Sequence, residues 1–150
     1  MLINVNPLIS PEILQLIRSM GHGDKFVLSD ANFPSYSQTD KVYRMDGLNI
    51  PQAAEAILSV FPLDSFIPYP VQRMEIDGKP EETNEVHIDL INTVKKVSGS
   101  NWNVGSIERQ KFYAEAKKTR AIITTSDTRP YGCFLFTKGV LKPDGSVWII

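Results

Sequence analysis

The chain has 150 residues, of which 42% are hydrophobic and 22% charged, and this size and composition favour one globular domain, residues 1–150. Lys and Arg number 16 against 17 Asp and Glu, so we expect no basic surface that collects nucleic-acid phosphates. One cysteine and two histidines exclude a disulfide scaffold and a Cys/His zinc site. No stretch approaches the ~20 apolar residues of a membrane helix, and the opening segment lacks a signal-peptide pattern, so we expect a cytoplasmic protein with no membrane partner.

Helix and strand patterns alternate along the chain. The first helix begins at Ser10-Pro11-Glu12, which supplies a cap and a proline suited to the first helical position, and Gly21 ends it. Apolar spacing and β-branched runs then predict, in order, strands at 26–28 and 42–45, helices at 50–61 and 81–97, an extended piece at 102–106, a helix at 107–118, and strands at 121–125, 134–136 and 146–150.

The stretch from 65 to 73 carries Pro68 and Pro70. Proline cannot donate to a strand ladder, so any strand here should be an edge strand or a broken one. Strands that alternate with helices indicate an α/β fold, a single domain with a mainly parallel sheet covered by helices on both faces.

Polar residues follow the first predicted strand, where α/β sheets collect ligands beyond the carboxyl ends of their strands. Asp30 leads into Ala31-Asn32-Phe33-Pro34, which offers a carboxylate, an amide and an aromatic face. Such a mixture suits a sugar. A turn in which Asp30 merely closes the strand explains the same residues, so both interpretations stay open.

The two histidines stand in different settings. His22 lies between Gly21 and Gly23, which predicts a tight, partly exposed turn. Because the ordinary pKa of histidine lies near neutrality, His22 is a candidate for proton transfer, and a contact with the dipole of the preceding helix is the alternative. His87 lies in the polar opening of a predicted helix, where we expect a solvated side chain.

The segment IERQKFYAEA places Arg109 and Tyr113 four residues apart, on one face of a predicted helix. They could present a cation and a phenol to one site, or form an ordinary surface pair. Tyr131 and Cys133 alternate with Gly132 ahead of a strand, so their side chains should point the same way. Strand-end packing is the alternative, and no histidine lies near Cys133 in the sequence to activate a nucleophilic thiol.

Motifs of nucleotide, dinucleotide and zinc enzymes are missing from the chain, including GxxxxGK[ST], GxGxxG, HExxH and GxSxG. A carboxylate-bound metal stays open on composition alone. We therefore expect a chemistry that needs no nucleotide, dinucleotide or zinc.

Four segments together form the pattern of a known family. They are MGHGDKFVLSDANFP; MDGLNIPQAAEAI followed by PLD at 62–64; ERQKFYAEA; and YG with a closing KGV at 138–140. These segments resemble the L-fucose mutarotases and their sister group, the D-ribose pyranases, and the resemblance runs from about residue 7 to residue 140. GHGD, ANFP and the FY pair after Arg109 are closer to the fucose branch, so L-fucose is the expected sugar.

The resemblance implies a cofactor-free, metal-free interconversion of sugar anomers. It makes His22 the proton donor and Tyr113 a second acid/base group. The residues that would bind the sugar are Asp30, Asp64, Arg109, Tyr131 and Cys133. At Cys133 the chain departs from the family pattern YGN, which would place an asparagine able to donate and accept hydrogen bonds. The resemblance also implies a ring-like homo-oligomer with sites at subunit contacts.

Anomer exchange requires the ring oxygen to gain a proton while the anomeric hydroxyl loses one, so two proton-carrying groups suffice. Three alternatives stay open: a monosaccharide-binding protein without catalysis, a pyranase for another sugar such as ribose, and a structural or interaction domain.

His22 and Asp30 flank the first predicted strand, and an extended path could separate them by about 26 Å. Either the turn folds back or a neighbouring chain completes the pocket, and the resemblance favours the neighbouring chain.

Overall fold

The computed structural model describes residues 1–150, which form five helices and six strands. In chain order these are α1 (Pro11–Ser19), β1 (Lys25–Ser29), α2 (Ser35–Gln38), β2 (Val42–Met45), α3 (Ile50–Leu58), β3 (Val71–Met74), α4 (Glu85–Ser98), β4 (Val104–Ile107), α5 (Arg109–Ala116), β5 (Ala121–Thr125) and β6 (Cys133–Thr137). All six strands belong to one sheet, in the order β2-β5-β1-β6-β3-β4. None of the helices has the length and apolar character that crossing a membrane requires.

Capping side chains set where four of the five helices begin. Ser10 accepts a hydrogen bond from the backbone of the first turn of α1, and Asn49 forms a reciprocal capping box with Gln52 in α3. Asn84 caps α4, so that helix begins at 85 and not at 81. Glu108 caps α5, so the helix predicted from 107 begins at 109 and residue 107 ends a strand.

The sheet is mixed and mostly parallel, as the alternating pattern predicted. β1 and β2 pair with β5 in parallel, and β3 pairs with β4 in parallel, whereas β6 runs antiparallel to both β1 and β3. Only residues 126–132 connect β5 to β6. A parallel crossover needs about a dozen residues or more, so this short loop returns the chain at the same end of the sheet and reverses β6.

Helices cover both faces of the sheet, which confirms the predicted layers. The larger apolar cluster joins α1, α3 and α4 to one face, where Phe26 and its register partner Phe136 stack with ring centroids 4.9 Å apart. The smaller cluster packs Phe112 and Ala116 of α5 on the other face, against Val27 and Leu135. The covered sheet therefore fixes two opposite strand ends, and the candidate site residues divide between them.

Three further elements differ from the predictions. β3 begins after both prolines and lies inside the sheet, so the expected edge or broken strand is wrong; Pro70 contributes its carbonyl, which accepts from the backbone N–H of Thr137. Residues 146–150 form no strand, because Leu141 and Val147 make an isolated bridge around a turn. The four-residue helix α2 had no sequence pattern long enough to predict it.

Candidate active site

The strand register shows that the candidate residues lie at opposite ends of the sheet. Ser29 pairs with Cys133, so Asp30 and the segment before β6 share one end. Lys25 pairs with Thr137, so the turn that carries His22 lies at the other end. The extended path from Asp24 to Asp30 spans about 20 Å at ~3.3 Å per residue.

A cavity of about 320 Å³ opens at the Asp30 end. Its volume suits a small ligand. The lining residues are Asp30, Asn32, Phe33, Met74, Arg109, Tyr113, Pro130, Tyr131 and Cys133. Five of the seven predicted site residues are therefore brought together, and His22 and Asp64 are not among them.

Asp30 is buried and accepts four hydrogen bonds from its own chain. Oδ1 accepts from the backbone N–H groups of Asn32 and Phe33, and Oδ2 accepts from the backbone of Gly132 and from the thiol of Cys133. Burial raises the pKa of this carboxyl, and these hydrogen bonds oppose the rise. Asp30 thus joins two loops as the turn interpretation expected, and it also lines the cavity; direct binding of a sugar hydroxyl stays a prediction.

Tyr131 is held in a strained backbone conformation at the cavity mouth. Its φ of 60° lies in the left-handed region that non-glycine residues rarely adopt. Its phenol donates to Oδ1 of Asp77 at 2.6 Å, and this hydrogen bond raises the pKa of Tyr131. Tyr131 and Cys133 both line the cavity, as their alternation predicted.

His87 is fully buried, so the expected solvated side chain is wrong. Its Nε2 lies 2.9 Å from the backbone oxygen of Tyr131, and its ring packs edge-on against Phe134 at 5.8 Å. Burial lowers the pKa of His87 to about 4, with a smaller contribution from the Arg73 cation and against the opposing effect of the Tyr131 hydrogen bond. The sequence feature that indicates this burial is the spacing of His87 from Leu90 and Val94, which share the buried face of α4.

Arg109 and Tyr113 meet on one face of α5. The guanidinium carbon of Arg109 lies 5.9 Å from the centroid of the Tyr113 ring, within the range of a cation–π contact. The Tyr113 ring also packs against Phe33 at 5.2 Å. The cavity therefore has a cation and a phenol on one wall.

Cys133 is buried beside Asp30, with its Sγ atom 3.5 Å from Oδ2. Burial raises the pKa of the thiol well above its usual range, and the Asp30 charge adds to the rise. The thiol is therefore protonated near neutral pH and is not poised as a nucleophile.

The loop at 126–132 is braced by a partly buried ion pair that no sequence motif indicated. Arg129 donates to Asp127 at 2.8 Å and to Asp89 of α4 at 2.6 Å, and Asn84 donates to the backbone oxygen of Pro130 at 2.8 Å. Burial raises the pKa of Asp127, but the hydrogen bonds from Arg129 and from the backbone of Ile50, together with the Arg129 charge, outweigh it and lower the pKa. Asp127 follows β5 as Asp30 follows β1, so the same strand-end rule would have found it.

The opposite end of the sheet carries His22 and Asp64. Nε2 of His22 lies 3.2 Å from Oδ1 of Asp64, and the imidazole contacts the ring of Phe66 at 5.2 Å. The side chain of His22 is 47% exposed and that of Asp64 is 3% exposed. An exposed imidazole oriented by a buried carboxylate is suited to exchanging protons with a bound ligand. The tight, partly exposed turn was predicted correctly.

Lys138 and Gly139 hold this second group of residues in place. The backbone oxygen of Lys138 accepts from Gly23 at 2.9 Å, and its ammonium caps the carboxyl end of α1. A Cβ at Gly139 would lie 2.2 Å from the backbone oxygen of Leu63. Only glycine permits this approach, which brings the Asp64 segment beside the His22 turn.

A larger depression, of about 430 Å³, contains none of the seven predicted site residues. Its lining residues are Ser65, Ile67, Pro68, Pro70, Ser98, Gly99, Asn101, Trp102, Asn103, Ile149 and Ile150. No side chain among them can exchange protons near neutral pH, so size alone does not make it the candidate active site. No cluster of three or more His, Cys, Asp or Glu side chains suits a metal ion.

Comparison with known proteins identifies the family. A model of the RbsD / FucU transport protein family matches residues 3–141. The chain belongs to the RbsD / FucU family. The L-fucose mutarotase of Actinobacillus pleuropneumoniae serotype 5b (strain L20) is 37% identical over 142 residues, which cover 93% of this chain and 97% of the relative.

Two solved structures share the fold. The fucose mutarotase of Streptococcus pneumoniae, solved in complex with L-fucose, superposes with a TM-score of 0.80 at 33% identity, covering 94% of this chain and 100% of that one. RbsD of Bacillus subtilis, solved with D-ribose, superposes with a TM-score of 0.70 at 20% identity, covering 95% and 100%. The resemblance stated from the sequence motifs is confirmed, and the second structure supports the fold alone.

Proposed function

We propose that the protein interconverts the α and β anomers of L-fucose by acid/base ring opening without a cofactor. The observation that carries this conclusion is the near full-length similarity to L-fucose mutarotases, at 37% identity over 93% of the chain. The protein is thus an isomerase that acts on a monosaccharide. A binding protein without catalysis is not favoured, because the chain also holds an exposed histidine oriented by a buried carboxylate.

The cavity chemistry supports a sugar that carries a methyl group. L-Fucose is a deoxyhexose, and its C6 methyl needs an apolar surface, whereas D-ribose has no methyl group. Phe33, Met74 and Pro130 line the cavity beside its polar side chains. Apolar side chains with a few placed polar groups are typical of small-ligand sites.

The proposed mechanism divides two proton transfers between two groups. His22 donates a proton to the ring oxygen, and the Tyr113 oxygen, after releasing its own proton to solvent, takes the proton of the anomeric hydroxyl. The bond between C1 and the ring oxygen breaks and the aldehyde forms. Rotation of the aldehyde and the reverse transfers close the other anomer. Arg109, whose guanidinium carbon lies 5.9 Å from the centroid of the Tyr113 ring, places a cation beside this group on the same cavity wall.

The two groups that transfer protons must come from different copies of the chain. His22 and Tyr113 lie beyond opposite ends of β1, where Asp24 and Asp30 are about 20 Å apart, and a monosaccharide is far shorter than that. A heterologous contact that brings the His22 end of one copy to the cavity of the next repeats around a ring. We therefore propose a ring-like homo-oligomer in which each sugar site is shared by two neighbours.

Anomeric exchange measured by NMR tests the proposed function. Selective inversion of the α or β anomeric proton of L-fucose should transfer to the other anomer faster when the protein is added, and a chelator should leave the rate unchanged. D-Ribose should exchange more slowly at the same protein concentration. Saturation transfer from protein to sugar without faster exchange would indicate a binding protein without catalysis. No saturation transfer at all would indicate a structural or interaction domain.

A further inference from the structure

The carboxyl-terminal segment 142–150 lies beyond the part of the chain that matches the family model. A turn orders this segment. The backbone N–H of Gly145 donates to the backbone oxygen of Lys142 at 2.9 Å, and the backbone N–H of Lys142 donates to the backbone oxygen of Ser146 at 2.8 Å. The backbone of Trp148 then donates to Val140 at 2.8 Å. These hydrogen bonds fold the segment back on the chain and place Trp148 at a defined position.

Trp148 is joined to the residues that hold His22. The hydroxyl of Ser65 donates to the backbone oxygen of Trp148 at 2.6 Å, and the Trp148 ring lies 6.4 Å from the ring of Phe66. Phe66 contacts the His22 imidazole at 5.2 Å. Three aromatic rings therefore form a row from the tail to the proposed proton donor, each within the usual range of aromatic pairs.

Asp64 links the same residues through one oxygen atom. Oδ1 accepts from the backbone N–H of Phe66 at 3.0 Å and lies 3.2 Å from Nε2 of His22. The carboxylate thus fixes one edge of the imidazole, and the Phe66 ring packs against another part of it. Phe66 itself is 46% exposed, so its ring needs a neighbour to restrict its rotamers, and Trp148 is that neighbour.

We propose that Trp148 is a positioning residue for His22, acting through the ring of Phe66. This inference rests on the proposed function, in which His22 donates a proton to the sugar ring oxygen. Proton transfer depends on the orientation of the donor within about 10–20°, so a loosened imidazole lowers the rate of exchange more than it lowers sugar binding.

Three variants test the inference in the full chain. Trp148→Ala removes the ring, Trp148→Phe keeps an aromatic ring, and Ile150→Ala changes a tail residue that is 73% exposed. We expect Trp148→Ala to lower the exchange rate at saturating L-fucose at least fivefold, with less than a twofold change in the half-saturating concentration. Trp148→Phe should keep more than half of the rate, and Ile150→Ala should keep all of it.

NMR of the two histidines supplies a readout that does not depend on turnover. The chain has two histidines, and His87 lies inside the fold at the other end of the sheet. Trp148→Ala should shift the ring resonances of His22 and leave those of His87 in place. Unchanged exchange with unchanged His22 resonances would overturn the inference, and so would a shift of both histidines, because it would show a general loss of packing. If the unaltered chain fails to accelerate exchange, the proposed function fails, while the His22 resonances still decide the role of Trp148.

Discussion

Nε2 of His87 lies 2.9 Å from the backbone oxygen of Tyr131, so a buried imidazole in α4 holds the loop that carries a cavity tyrosine. A carbonyl oxygen only accepts, so His87 donates from Nε2 and its Nδ1 is unprotonated. Nδ1 has no hydrogen-bond partner in the chain, and the Arg73 cation disfavours a second proton there. The fold therefore depends on a neutral His87.

The first prediction is a loss of stability in acid that comes from His87. The imidazole has a pKa of about 4 in the fold and about 6.5 in the unfolded chain, so between these values the unfolded state binds the extra proton. We expect the free energy of unfolding to fall as the pH drops from about 6.5 to about 4, by on the order of 3 kcal/mol. Denaturant unfolding at several pH values measures this change.

His87→Gln is the matched control for this profile. Glutamine keeps a donor for the Tyr131 carbonyl and cannot titrate, while carboxyls such as Asp30 titrate in both proteins and cancel in the difference. The variant should lose less stability than the unaltered chain between pH 6.5 and 4. Two parallel profiles would contradict the role of His87.

The second prediction concerns His22→Ala. We expect exchange of L-fucose anomers to slow by about 10²–10⁴-fold, because a positioned acid contributes rate on that scale. The side chain is 47% exposed, so the free energy of unfolding should change by less than about 1 kcal/mol. Anomer exchange by NMR and denaturant unfolding check the two parts, and an undiminished rate would exclude His22 as the proton donor.

The third prediction is that two inactive variants restore each other. His22→Ala keeps an intact cavity, and Arg109→Ala keeps an intact His22 end. In mixed assemblies refolded from equal amounts, about a quarter of the shared sites combine two intact halves, so we expect about a quarter of the original exchange rate. Mixing His22→Ala with Asp64→Asn should restore nothing, because both changes lie at the same end. Full activity in a demonstrated monomer would contradict the shared site.

The fourth prediction is that Cys133→Asn binds L-fucose more tightly and keeps the fold. Cys133 lines the cavity with its thiol beside Asp30, and an amide there can donate to Asp30 and offer its oxygen to a sugar hydroxyl. One added net hydrogen bond is worth about 1 kcal/mol, or about fivefold in Kd. Titration of the sugar by NMR or calorimetry measures the affinity. Weaker binding would mean that the pocket is adapted to sulfur and to another ligand.

Local chemistry made the fold predictable. Caps such as Ser10, apolar runs such as 121–125 and the alternation of helices with strands depend on neighbours in the sequence, and they gave the layers and the mainly parallel sheet. The strand-end rule placed Asp30 at the cavity for the same reason. The edge position expected for the stretch with Pro68 and Pro70 was wrong, because strand order depends on pairings between distant segments.

By itself the sequence determined most of the helices and strands, the family motifs and the candidate residues at strand ends, because each depends on nearby residues. Only the tertiary structure decided that His22 and Asp64 lie at one end of β1 and the cavity at the other, because the reversal of β6 and its register bring distant segments to each end. Tertiary packing also decided the burial of His87. A helix pattern shows which face of α4 is apolar. Water is excluded from the imidazole because Phe134 and the Tyr131 carbonyl pack against that face.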